Sequence, residues 1–293
     1  MADSLPEDER VRYAAFIREC QEPGHGLFVD RHGTCVYSAK ACAMLKKLDG
    51  SRPKYRLAVC NDPSRTSSGV SESMGAAAFR DWLDRVRAEE HAYGAGSLIG
   101  HFIHPHCLNC RDRGESVRDS VYVREWRGWI SRNQGANGLW NRPEEDDFMG
   151  WNGLLKMYGS FSCTGTPVPN AETIMRTILR NRSDAKGSFG PGQCTNYNAC
   201  HLLAHLSADN NLLLCDEVVE AFEWFTACIA ARRDPASGFF RRDDIRPDEG
   251  GPDAVGTWSA SKQTEWIEAY CRHLLHPDRD APPAAGQGTG LRC

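Results

Sequence analysis

A chain of 293 residues with 41% hydrophobic and 25% charged side chains has globular usage and can bury a sizeable core, which excludes extended disorder outside its tail. Its formal net charge is −4 and its Lys and Arg residues are dispersed, so the basic footprint of a nucleic-acid binder is absent. The acidic start MADSLPEDER lacks an apolar h-region and no apolar run reaches membrane-spanning length, so the expectation is a cytoplasmic protein with no signal peptide and no transmembrane segment.

Along the chain, two kinds of helical segment alternate. Segments 7–20, 72–90, 117–133, 170–182 and 212–232 carry large apolar residues at helical spacing, as in Val218, Val219, Phe222, Phe225 and Ile229, and are expected to be outer helices. Segments 34–48, 96–107, 148–162, 195–207 and 258–275 are richer in small residues and are expected to be inner helices that approach one another closely. Asn170, ahead of AETIM and behind Pro167 and Pro169, is placed as the N-cap of the fourth outer helix, and Pro105 is expected to break the second inner helix. Residues 51–69 read as an irregular insertion, and 277–293 as a Pro/Gly/Ala tail that cannot fold alone, leaving 1–276 as the folded domain.

Five junctions between outer and inner helices resemble one another. The clearest is WISRNQGANGLW, where Trp129 and Ile130 close a helix, Gln134 follows, and Gly138 and Trp140 make a turn. FIRECQEPGHGLF, ILRNRSDAKGSF and CIAARRDPASGFF repeat it from Phe16, Ile178 and Cys228, and WLDRVRAEEHAYGAG from Trp82 is a worn copy. Successive starts lie 66, 47, 49 and 50 residues apart, the period of stacked helical hairpins. The expected architecture is all-α, an α/α toroid of about five hairpins whose inner helices line a central cavity, with an open linear stack of the hairpins as the alternative.

The spacing aromatic-aliphatic-x3-Gln-x3-Gly-x-Trp from Trp129 to Trp140 resembles the QW motif of the terpenoid cyclase and protein prenyltransferase superfamily, with Gln kept at Gln21 and replaced at Arg87, Ser183 and Arg233. The resemblance implies that the glutamine ties a helix end while the aromatic ring packs on the next hairpin. Class II terpene cyclases of that superfamily carry a DxDD motif after such a turn, and Glu144-Glu145-Asp146-Asp147 stands in the comparable place, with Glu144 in place of the first aspartate. By that resemblance Asp146 is the catalytic acid, tuned by Glu144 and Asp147, acting on an isoprenoid-like or other apolar small-molecule substrate without a required cofactor. A proton-donating carboxyl needs burial or a like-charged neighbour to stay neutral, and adjacent acids supply the latter.

Other groups point elsewhere. HFIHPHCLNC gathers His101, His104, His106, Cys107 and Cys110, residue types that bind zinc, in a spacing that is neither HExxH nor paired CxxC. The Asp-x-Cys of the zinc-dependent relatives is absent, which argues against protein prenyltransferase activity. Trp151, Tyr158, Tyr197, His201 and Trp258 fall on inner helices and are expected to bind substrate, with His205 one turn beyond His201. Asp243, Asp244, Asp248, Glu249 and Asp253 form a second acidic loop which, with Glu144 to Asp147, would suit a carbohydrate-active hydrolase or lyase. A non-catalytic ring that binds a ligand or partner is the third reading, and self-association is compatible with each. The thirteen cysteines, several on apolar helix faces, read as buried reduced thiols, with a disulfide framework as the alternative.

Overall fold

The computed structural model describes residues 5–23, 26–28, 38–55, 57, 72–191, 193–241 and 254–275. Among them the chain is all-helical: α1 (Glu7–Glu19), α2 (Ser38–Asp49), α3 (Ala76–Glu89), α4 (Ala92–Arg113), α5 (Val121–Asn133), α6 (Asp147–Thr164), α7 (Ala171–Arg180), α8 (Gln193–Asp209), α9 (Cys215–Ala231) and α10 (Ala254–Leu275). The only extended pairings among these residues are three isolated bridges, Gln21 to Phe28, Ser183 to Ser188 and Arg233 to Phe240. None of these helices is long and apolar enough to cross a membrane. Most of the 51–69 insertion and the whole of the 277–293 tail lie outside the described residues.

The odd-numbered helices fall on the segments expected to be outer helices and the even-numbered on those expected to be inner ones. Even-numbered helices pack in chain order, α2 on α4, α4 on α6, α6 on α8 and α8 on α10, while α3 pairs with α5, α7 lies against α6 and α8, and α9 against α8 and α10. One hydrophobic core runs from Phe79 on α3 to Tyr270 on α10, with Trp82, Trp126, Trp129 and Trp151 fully buried in it. A second, smaller core joins Ala14 and Phe28 to Leu45 and Leu48. Phe16, the first aromatic of the first repeat, is not in either core but exposed.

Small residues act where even-numbered helices meet. A Cβ on Gly96 of α4 would stand 2.1 Å from the carbonyl oxygen of Gly153 on α6, one on Gly153 would stand 2.3 Å from that of Ala92, and one on Gly100 would stand 2.4 Å from that of Lys156. The two backbones therefore touch over two turns, a spacing no side chain tolerates. That contact also explains a departure from expectation: Pro105 does not end α4, which continues for eight further residues to Arg113. Pro105 is buried, and packing of α4 against α6 offsets the roughly 3 kcal/mol that an internal proline costs a helix. The helix stops at Gly114, whose φ of 69° lets its N–H reach the Arg111 carbonyl while Glu115 N–H reaches Cys110, a Schellman closure.

The repeated junction has a consistent construction. Gln134 Nε2 donates to the carbonyls of Gly138 (2.7 Å) and Pro169 (2.8 Å), and its Oε1 accepts from Asn170 Nδ2 at 2.7 Å. Gln21 does the same with Gly26 (2.7 Å) and Tyr55 (2.6 Å), and its Oε1 accepts from the Tyr55 N–H at 2.8 Å. Each glutamine thus joins its own turn to the strap leading into the next outer helix. Asn170 serves this clasp instead of capping α7: it sits in the left-handed region at φ 52° and makes no side-chain cap bond. Trp140, expected to pack on the next hairpin, is buried and returns its indole N–H to Ile130 of its own hairpin at 2.9 Å. The contact with the next hairpin falls to Gly138, where a Cβ would lie 2.8 Å from Ile174 on α7, and to Asn137, whose carbonyl accepts from Thr177 at 2.9 Å. The worn copy has lost its turn, with α3 and α4 separated only by Glu90 and His91, and His91 Nδ1 caps α4 by accepting from Gly94 N–H at 3.0 Å.

Replacing Gly153 by Ala is expected to lower unfolding free energy by about 3 kcal/mol, as overpacking against a backbone carbonyl does, and urea denaturation measures it. Gln134→Ala, which strands two carbonyls, is expected to cost about 2 kcal/mol in the same measurement.

Candidate functional site

The acidic loop before α6 holds the structure together. Glu145, with its side chain 9% exposed, accepts from the Ala92 N–H at 3.0 Å and the Arg142 N–H at 2.8 Å, so it caps the start of α4. Asp147 accepts from Asn137 at 2.8 Å and Asn181 at 3.2 Å, linking two neighbouring turns. Glu144 is two-thirds exposed and pairs with Arg142 at 3.3 Å. Asp146, expected to be an enclosed acid, is exposed at the N-cap of α6 without a cap bond. An exposed carboxyl lacks the desolvation that keeps a proton donor neutral at pH 7. The second acidic loop, Asp243 to Asp253, lies outside the described residues.

The histidine and cysteine group on α4 is divided by helix geometry. His106 and Cys110, four residues apart, share a face, with Cys110 Sγ 3.3 Å from His106 Nε2. Cys107 turns toward Cys163 on α6, whose thiol and the surrounding burial push the Cys107 thiol far up. His104 lies against α6 near Gly159. Among the described residues no three His, Cys, Asp or Glu side chains are placed to hold a metal, so the zinc expectation has no ligand set there. Burial, helped by the charges of Arg111 and His101, lowers His104 to about 4.

The inner-helix aromatics converge. His201 on α8 lies against Trp266 on α10 with centroids 3.9 Å apart, and His205, one turn on, is 4.7 Å from His201 and 5.0 Å from Trp266. Tyr158 of α6 approaches His205 at 5.6 Å, and Tyr197 meets His201 edge-on at 6.0 Å. Trp258 is half exposed at the margin, 6.4 Å from Tyr197. Trp151 is not part of this group: it is fully buried, with an indole edge against Gly190. Deeper between α6 and α8, Asn198 donates to Asn152 at 2.7 Å and Asn152 to Thr195 at 3.0 Å, a buried polar chain.

Within the cluster, His201 is 3% exposed and its Nδ1 has no hydrogen-bond partner, as is also true of Trp266 Nε1. Burial first, then the neighbouring His205, hold the His201 imidazole well below its ordinary value, so it is neutral at pH 7. Trp266 is the residue that sequence reading passed over. Its signal was present, because Ser259, Gln263, Trp266 and Tyr270 are among the buried positions of α10 and recur at i, i+4, i+7 and i+11.

Comparison of the chain with protein-family models, with curated proteins and with solved structures returns no match.

The two neutral histidines set an acid sensitivity. Their folded-state values lie below the ordinary imidazole value of about 6.5, so the unfolded chain binds protons that the folded chain does not, and stability falls as pH drops below that point. For His104 the loss extends to about 4 and amounts to at most about 3 kcal/mol. Urea midpoints measured between pH 7 and 5 are expected to fall, and His104→Gln and His201→Gln to flatten that slope.

Proposed function

We propose that the five hairpins close into an α/α ring of the terpenoid cyclase-like type, and that its aromatic interior takes an isoprenoid-like, apolar small molecule carrying a hydroxyl group. The ring reading rests on the alternation of outer and inner helices, the serial packing of the inner set, and the glutamine clasps at Gln21 and Gln134. The observation that carries the ligand reading is the pair of buried, unpartnered polar atoms, His201 Nδ1 and Trp266 Nε1, inside an otherwise aromatic cluster. Each such atom costs about 1–3 kcal/mol while unsatisfied, and a ligand oxygen that accepts from the indole and donates to the imidazole removes both penalties.

The rings of Tyr158, Tyr197 and Trp266 then face the apolar chain, and their π-faces favour positive charge developing on it. His201, neutral because it is buried, is the proton acceptor in this reading. Asp146 is not assigned the donor role, since its side chain stands exposed at the start of α6 and not in the aromatic cluster.

Farnesol is expected to raise the thermal unfolding midpoint, with a stabilisation of about 2.7 kcal/mol at a hundred times its Kd. His201→Leu is expected to remove most of that increment while leaving the helical circular dichroism intact. A native, helical protein whose midpoint does not respond to farnesol at any soluble concentration defeats the ligand reading.

A further inference from the structure

A pocket of about 420 Å³ opens at the C-terminal half of α4, away from the aromatic cluster, and its wall includes Glu72, His106, Cys110, Arg113, Asp119 and Ser120. Three of these form a continuous hydrogen-bonded series. Glu72 Oε1 lies 2.5 Å from His106 Nδ1, and His106 Nε2 lies 2.7 Å from Ser120 Oγ. The histidine and glutamate side chains are only 4% and 13% exposed, so the imidazole is held in a largely desolvated slot between an acid and a hydroxyl.

The support around this series is specific. The second carboxylate oxygen of Glu72 accepts from Asn109 Nδ2 at 3.3 Å and lies 3.8 Å from the Arg113 guanidinium. Tyr122 O–H points to the carbonyls of Glu72 (2.5 Å) and Met74 (2.8 Å), fixing the segment that presents the carboxylate. The ring of Tyr122 also meets His106 edge-on at 5.0 Å. Ser120 occupies the N-cap of α5, yet its hydroxyl makes no capping bond and is directed to the histidine instead. Serine at that position normally bonds the first-turn N–H groups, so the positive end of the helix keeps donors beside the very oxygen that faces His106.

We infer that Ser120, His106 and Glu72 form a nucleophilic hydrolase site for small neutral or cationic carboxylic esters. His106 Nε2 takes the Ser120 proton as Oγ bonds to the ester carbonyl carbon. The same proton passes to the departing alkoxide as the ester C–O bond breaks, leaving an acyl-Ser120 and a free alcohol. Water then gives one proton to His106 and its oxygen to the acyl carbon, and the proton returns to Ser120 as the carboxylic acid leaves. The sum is ester and water to acid and alcohol, with no oxidant, metal or further reactant. Of the reacting groups Glu72 touches only the imidazole, and it is a positioning residue: it holds the tautomer that presents Nε2 to Ser120 as acceptor.

Cys110 is the competing nucleophile, 3.3 Å from the same Nε2. It is buried at 2% exposure, and burial, the largest influence on it, pushes its thiol up to about 11, leaving it protonated at neutral pH. The substrate class follows from the pocket mouth. Asp119 and Glu115 are exposed there, and the guanidinium among the described lining residues, Arg113, is engaged by Glu115 through two contacts of 2.6 Å, so an anionic acyl group meets net negative charge.

The experiment uses the full chain, p-nitrophenyl acetate as substrate and diisopropyl fluorophosphate as covalent probe, with peptide mass spectrometry to locate the adduct. Expected are turnover above buffer, a single phosphoryl adduct on Ser120, and a loss of at least about a hundredfold in kcat for Ser120→Ala and His106→Gln. Glu72→Gln should lower kcat with KM unchanged and displace the pH profile, which a purely structural bond would not do. Asp119→Asn should narrow the preference for a cationic over an anionic p-nitrophenyl ester by several-fold. Because Ser120 makes no capping bond, its alanine variant keeps the fold, and circular dichroism verifies this. If native protein takes no adduct on Ser120 and hydrolyses the ester no faster than Ser120→Ala, the series is structural and the inference is wrong. That result leaves the farnesol reading untouched, since the two sites share no residue.

Discussion

The backbone contact between α4 and α6 is the constraint on which the remaining arrangement depends. Gly96 and Gly153 let the two helices meet without intervening side chains, which fixes the rotation of each helix about its own axis. With α4 so fixed, Cys107 and His104 are turned toward α6, while His106 and Cys110 face the pocket on another side. With α6 so fixed, Tyr158 reaches the histidines of α8 and Asn152 reaches Asn198. A methyl group at Gly153 disturbs both consequences at once, because packed interiors transmit small displacements.

The junctions apply a second, repeated constraint at the opposite scale. Positive φ at Gly26, Gly138, Gly187 and Gly238 sets the same turn four times, and the turn carbonyls left free at helix ends are collected by a side chain from the neighbouring element. Gln21 and Gln134 do this with both ends of one amide. In the fourth repeat, where Ser183 replaces the glutamine, Arg232 at the C-cap of α9 donates to the Gly187 carbonyl instead. The chemistry of the clasp changes while the requirement, a satisfied carbonyl between hairpins, does not.

Polar groups are distributed unequally between the two clusters, and the two proposals rest on that difference. In the α8 and α10 cluster, the imidazole and indole are surrounded by rings and leave two polar atoms without partners, an environment for an apolar molecule with one oxygen. Around His106 every polar contact is used, acid on one nitrogen and hydroxyl on the other, an environment that moves protons. The acidic run before α6, although richest in charge, does neither, because its carboxylates are spent on backbone N–H groups and side-chain amides or stand in water.

The helices, the glycine turns and the clasping glutamines are legible in the amino-acid sequence. These are local: helical periodicity, left-handed glycine conformations and bonds spanning a few residues are written in adjacent letters. It also identified His106, Cys110, Tyr158, Tyr197 and His201 as chemically notable. It could not sort His104 and Cys107 from His106 and Cys110, since helix rotation is set by the partner surface. Nor could it attach Glu72 and Ser120 to His106, because those bonds cross 34 and 14 residues and neither residue stands in a motif. It carried α4 through Pro105 no better, since the packing that offsets the proline comes from α6. Which polar side chains meet was settled in folding, because burial and convergence are properties of surfaces brought together and not of neighbours along the chain.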